Sequence, residues 1–525
     1  MLQTALLFQD HMVLQREKVI AVWGTADAGA EVTVTMQGGT ATATADADGR
    51  WQAKCGPFAA SFAEKMVIAS GDERLVFHDV QVGEVWLAGG QSNMEFHMRY
   101  DADMTAEKEQ CSNDNIRFFD YPEVSYVGQI DEADYGKNYG FWRKAEPGQL
   151  ERFSAVGYYF AKDLQKKYGI PIGIVGCNWG GTPACAWMSR EAIIEGGGQA
   201  YLDEYEEVLK NLDLEKYEED FKKNPMSWRT DQLADPISNL MMFGCTMEEF
   251  GAALAKMGVD PSQMDPAMFL PPMGPKYERR PSGLYESMLK AIVPYGIRGV
   301  IWYQGETDGD CHPKLYQTLF PAMIRNWRQL WNEELPFLFV QIAPLERWMD
   351  CIGANYVEIR AAQQHTAETV PGTGMAVSSD VGMQSDIHPK KKQPIGHRLA
   401  LLAENRVYGE DVLCEAPTLS GARTEEGKLI LTFENVGDGL YLAQTAPYGQ
   451  EIGSERLGGL QVFQNGQELD LNQAKAHAEG NTVIVSGAAI RSGVPTQVRL
   501  AKTGWYLVNL YNSAGIPARP AEIGS

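Results

Sequence analysis

Gly89-Gly90-Gln91-Ser92-Asn93-Met94 and Ser385-Asp386-Ile387-His388-Pro389 contain the side-chain types that acyl transfer requires. Serine is a weak nucleophile at its free pKa and needs a base within hydrogen-bond reach. His388 is the candidate base, and a carboxylate must fix its tautomer and stabilise the imidazolium. Asp386 can fold back to the ring in a tight loop and is the first choice. Glu306, in Gln304-Gly305-Glu306, is the second; otherwise it pairs with a cation. Donors must also face the developing oxyanion. The Ser92 N–H, the Gly181 N–H within Asn178-Trp179-Gly180-Gly181-Thr182 and the Gln304 amide are the candidates, since glycine lets main chain approach closely. Gln91, Asn93 and Trp179 are the candidate substrate contacts. Ordinary roles compete with each reading: Ser92 as the N-cap of a turn, His388 as a surface loop residue, Gln304 as a structural hydrogen bond.

These clusters are worth combining only if strands present them together. Residues 82–88 form a near-continuous apolar run, as a strand buried on both faces does. Similar runs at 170–176, 299–303, 337–341 and 374–380 alternate with helical periodicity, the first helix capped by Ser154 and ended by Gly169. Alternation of this kind predicts a parallel, doubly wound α/β sheet over about 81–410, where sites open at strand C-termini. Residues 1–80 read as a small β-sandwich with strands at 19–24, 31–35 and 65–69. Residues 411–525 read as a second β domain with strands at 428–433, 482–485, 498–500 and 504–510. Between them, 190–285 breaks the alternation with acidic helix and a Met- and Pro-rich stretch at 261–281, an insertion read as a lid or a solvated excursion.

A length of 525 residues suits about three domains of roughly 150 residues. The net charge of −23 argues against nucleic-acid and anionic-membrane partners. No window approaches the 18 apolar residues of a membrane span. The eight cysteines are scattered without a C-x-x-C pair and the eight histidines form no ligand spacing, so neither a disulfide framework nor a metal site nor a cofactor is expected. The N-terminus lacks a basic n-region, so the expected location is cytoplasmic, or secreted or periplasmic if a leader was trimmed. Oligomeric state is not readable.

Gly90-Gln91-Ser92-Asn93-Met94, Trp302-Tyr303-Gln304-Gly305-Glu306 and Asp386-Ile387-His388-Pro389 resemble the signature blocks of the sialate O-acetylesterases. These belong, with the acetylxylan esterases of carbohydrate esterase family six, to the SGNH hydrolase superfamily. Val13-Leu14-Gln15-Arg16, Trp179-Gly180-Gly181-Thr182 and the β-rich tail extend the resemblance over most of the chain. It implies a three-layer α/β/α sheet flanked by β domains, with a metal-free Ser92-His388-Asp386 triad and Gly181 and Gln304 at the oxyanion hole. The reaction it implies is removal of acetyl groups from sugar hydroxyls. Glu306 matches the glutamate that takes the acid role in acetylxylan relatives. Two departures matter: Gly-Gln-Ser replaces the Gly-Asp-Ser of lipase-type members, and Thr307-Asp308 replaces Ser-Asn, which leaves the sugar contacts open. Other activities in view are a hemicellulose acetylesterase, a lipid or thioester hydrolase, and an inactive carbohydrate-binding protein. An anionic sugar would require a cation, for which Arg99, Arg190, Arg279 and Arg280 are candidates.

Overall fold

The computed structural model describes residues 1–224, 227–228, 230–256 and 271–524, so the 261–270 part of the Met- and Pro-rich stretch lies outside the described residues. The chain forms two compact units. One comprises Met1–Trp302 with Thr318–Phe337, the other Tyr303–Gln317 with Leu338–Ser525.

The first unit begins with the short strands expected. In Glu31–Met36 and Arg50–Cys55 buried and open positions alternate, so Val32, Val34, Met36, Trp51 and Ala53 face inward. The pivotal strand is Glu73–Gly90. Its first part pairs antiparallel with Ser61–Ser70, while every residue from Val80 to Gly90 is buried. That second part pairs parallel with Ile172–Asn178, from Glu84 opposite Ile172 to Gly90 opposite Asn178. Asn113–Asp120 follows parallel, and Gly299–Tyr303 neighbours Glu73–Gly90 on the other side. A wholly parallel sheet is therefore not what forms. Trp142–Ala145 closes the edge antiparallel to Asn113–Asp120, because no crossover helix separates the two strands. The result is a mixed sheet that continues into the N-terminal antiparallel strands.

Helix Ala155–Tyr168 covers this sheet. The Ser154 hydroxyl accepts the Gly157 N–H at 3.1 Å, and Gly169 ends the helix at φ 66°. Val156, Tyr159, Phe160 and Leu164 are buried as the spacing demands, and Phe160 meets Trp86 edge-on at 5.1 Å. Burying each such side chain contributes roughly 1.5–3 kcal/mol. The acidic helices of the insertion form as Gln199–Lys210 and Leu214–Lys223.

In the second unit Phe337–Val340 neighbours Thr373–Ala376, and helices Tyr356–Thr369 and Gln393–Arg406 pack beside them. Arg398 grips Asp380 through two hydrogen bonds of 2.8 and 2.7 Å, and the Tyr511 hydroxyl adds a third at 3.1 Å. This buried pair fixes the end of the Thr373–Ala376 segment to the last helix, with geometry good enough to offset desolvation. The C-terminal β region holds two four-stranded sheets around one core that includes Leu429, Leu431, Val462, Val483 and Val498. The expected strand at 504–510 is shorter: only Leu510–Asn512 is strand. Instead of joining a ladder, the Thr503 and Gly504 carbonyls accept from the buried Arg360 guanidinium. A carbonyl so engaged is satisfied without a neighbouring strand.

Candidate active site

The first unit carries the nucleophile candidate. The buried strand ends at Gly89 and Gly90, and a side-chain carbon on Gly89 would lie 2.9 Å from the Trp302 ring. Gly90 turns the chain at φ 137°, and a single-turn helix follows over Ser92–Glu95. Gln91, not Ser92, occupies the N-cap, and its side chain makes no capping bond. Ser92 is thus not the cap of an ordinary turn. It is partly open between the buried Gln91 and Asn93, which suits a group that must meet a substrate.

A second strand end meets this turn. The Trp179 N–H donates to the Gly90 carbonyl at 3.1 Å, and the Asn178 amide to the Ala88 carbonyl at 3.0 Å. Trp179 itself is buried. Gly180 lies against Ser92: a carbon placed on its Cα would stand 3.3 Å from Ser92 Cβ and 3.1 Å from a Glu95 carboxylate oxygen. That carboxylate accepts the Gly180 N–H at 2.6 Å. Gly181 holds φ 73°, a left-handed conformation that suits glycine. Beside Glu95 sits a further buried cluster absent from the sequence reading. Burial raises the Asp120 carboxyl to about 7 against the lowering pull of Arg143, and burial with Arg152 and Arg143 pushes His97 down to about 3.

The second unit carries the base candidate and both acid candidates. His388 is 4% exposed and its ring meets Trp348 edge-on at 5.3 Å. Asp386 sits beside it, Oδ1 3.7 Å from His388 Nδ1, which is ion-pair proximity rather than a hydrogen bond. The same oxygen accepts the His388 backbone N–H at 2.8 Å, and Oδ2 pairs with Lys390 Nζ at 2.9 Å. Burial first, then the charges of Lys390 and Lys392, hold the imidazole well below its ordinary pKa. Lys392 is fully buried with its Nζ 5.3 Å from the centre of the Tyr303 ring.

Glu306 is buried at the start of helix Glu306–Cys311. Its charge acts on Tyr303, Cys351 and Tyr356, whose pKa values are raised mainly by burial. The Gln304 side chain is held at both ends: its amide nitrogen donates to Asp308, and its carbonyl accepts from the Tyr316 hydroxyl at 3.0 Å. The structural role weighed for Gln304 is therefore occupied. Asp386 and His388 are brought together. Ser92, Gly180 and Gly181 are brought together in the first unit.

Residues 271–403 match the family described as carbohydrate esterase, sialic acid-specific acetylesterase. The sialate O-acetylesterase of Rattus norvegicus is 28% identical over 437 residues, covering 76% of this chain and 72% of that protein. The Homo sapiens sialate O-acetylesterase is 24% identical over 459 residues, covering 80% and 73%. Among solved structures, a carbohydrate acetylesterase from Xanthomonas citri aligns with a TM-score of 0.72 and 29% identity over 99% of both chains. A strand-end serine on a mixed α/β fold, with these likenesses, defines a carbohydrate esterase, a hydrolase of carboxylic esters. Within that class, the likeness is to the sialate O-acetylesterases, whose family model matches residues 271–403 and whose curated members align over about three quarters of the chain.

Proposed function

We propose that this chain is a carbohydrate O-acetylesterase that works through an acetyl-Ser92 intermediate, on a three-layer α/β/α sheet of the SGNH type. The observation that carries the reading is the packing of Gly180 against a partly open Ser92 at the end of a buried strand. Ser92 Oγ attacks the acetyl carbonyl and His388 takes its proton. The negative charge on the tetrahedral oxygen is met by main-chain donors at Ser92 and Gly181 and by Gln304. Collapse expels the sugar oxygen, which takes the proton back from the imidazolium. Water then attacks the acetyl-serine, again losing a proton to His388, and collapse breaks the bond from the acyl carbon to Ser92 Oγ, which takes that proton back as acetate leaves. Asp386 stabilises the charged imidazole, with Glu306 the alternative acid. Gln91, Asn93 and Trp179 border the acyl and sugar positions.

Trp179 beside the oxyanion glycines supports a shallow acyl pocket. Acetate release from acetylated sialic acid, acetylated xylan fragments and p-nitrophenyl acetate tests the reading, with the octanoyl ester as control. Acetyl esters should turn over at least ten times faster than octanoyl. Comparable rates would favour a lipid or thioester hydrolase, and no turnover of any ester would favour a carbohydrate-binding protein. Preference for xylan fragments would favour the hemicellulose acetylesterase.

A further inference from the structure

A cation stands next to the nucleophile loop, and the hydrolysis just described does not use it. Residues 275–283 form consecutive turns. The Ser282 N–H donates to the Cys185 carbonyl at 2.9 Å, which ties these turns to the segment following Gly181. The Lys276 N–H donates to the Tyr217 hydroxyl at 2.8 Å, which ties them to the Leu214–Lys223 helix. So framed, Arg279 stands close against Gly181. A carbon placed on that glycine would stand 2.5 Å from one Arg279 Nη, 3.2 Å from Cζ and 3.5 Å from Nε. Gly180, whose own added carbon would meet Ser92 Cβ at 3.3 Å, is one trans peptide away, about 3.8 Å between alpha carbons. The guanidinium is therefore within about a sugar's length of Ser92.

The other candidate cations are engaged elsewhere. Arg99 donates to the Leu233 carbonyl, Arg190 pairs with Glu206, and Arg280 donates to the Ser125 carbonyl. Arg279 is half-buried, and its buried Nε has no hydrogen-bond partner among the described residues. No carboxylate among the described residues pairs with it. A guanidinium without an acceptor among the described residues is open to a planar anion, which it binds through two parallel N–H···O bonds.

We propose that Arg279 is a specificity-determining residue that binds the carboxylate of an acidic sugar while the sugar's acetyl group lies at Ser92. The assignment rests on the esterase reading and gives the 190–285 insertion a role: its last turns supply the carboxylate contact. The test compares kcat/KM for O-acetylated N-acetylneuraminic acid with that for its methyl ester, in the wild type, Arg279→Gln and Arg279→Lys. The wild type should favour the free acid, and Arg279→Gln should lower the acid-to-ester ratio at least about tenfold, mainly through KM. Arg279→Lys should recover part of it, since the charge remains without the planar fork. An unchanged ratio in Arg279→Gln, whether or not both rates fall, would overturn the proposal and make Arg279 a support of the glycine loop. If the wild type hydrolyses neither of these substrates nor any other acetyl ester, the esterase reading fails, and whenever both sialates go unhydrolysed, calorimetry with unacetylated N-acetylneuraminic acid decides Arg279 on its own. Weaker binding by Arg279→Gln than by wild type upholds the assignment, and equal binding overturns it.

Discussion

A base must be neutral to accept a proton, and His388 is built to stay neutral. Burial opposes its charged form, and Lys390 and Lys392 oppose it further. The folded pKa lies below the unfolded value of about 6.5. Below about 6.5 the unfolded chain therefore takes up a proton that the folded chain does not, so this contribution to stability is present above that pH and lost as pH falls. The acid limb of kcat/KM should lie below 6.5 for the same reason. Lys390→Gln should move it upward, because one opposing charge is gone and Asp386 loses its competing partner. A limb at 6.5 or above in the wild type, or no movement in Lys390→Gln, would contradict this origin of the shift. The two acids are separable by amide variants. Asp386 adjoins the imidazole, so Asp386→Asn should cost up to about 10⁴ in kcat, and Glu306→Gln far less. A larger loss from Glu306→Gln would move the role to Glu306. Ser92, Asp386 and His388 stand out as candidates in the sequence because each lies in a short motif. The lysines were not: Pro389-Lys390-Lys391-Lys392 reads as a solvated charge run, and only tertiary packing reveals that Lys392 is buried by the Tyr303 ring.

At the scale of elements, local signals held where local physics decides. Ser154 and Gly169 bound their helix as capping requires, and the Gly299–Tyr303 strand lies where its apolar run placed it. Pairing was less readable. The 504–509 segment is as apolar as a strand, yet at its start the Thr503 and Gly504 carbonyls accept from the buried Arg360, distant in sequence. Likewise the antiparallel edge strand Trp142–Ala145 follows from the missing crossover helix, which hydrophobic periodicity over Asn113–Asp120 cannot show. The glycine loop is a mixed case. Gly180 and Gly181 signal a close approach in the sequence, with the Gly181 N–H as the donor candidate. The sequence did not reveal the division of labour, in which Gly180 accommodates Ser92 and Glu95 while Gly181 accommodates Arg279. Glu95, three residues after Ser92, anchors the loop through the Gly180 N–H and carries no signal beyond a helical position.

At the scale of the whole molecule, one strand serves two architectures. Glu73–Gly90 leaves the N-terminal β region antiparallel to Ser61–Ser70 and ends at the nucleophile turn parallel to Ile172–Asn178. Its length, 18 residues, is more than composition alone suggested, because the apolar run is evident only from about Val80 onward. The central claim is that acetyl transfer passes through Ser92, and acetate release by Ser92→Ala tests it most directly. The side chain is partly open and fills no core position, so the variant should fold with the wild-type melting temperature. It should release no acetate above the uncatalysed background. A folded, pure Ser92→Ala protein that kept more than about a few per cent of the wild-type rate would contradict the account, since loss of a triad nucleophile removes nearly all turnover.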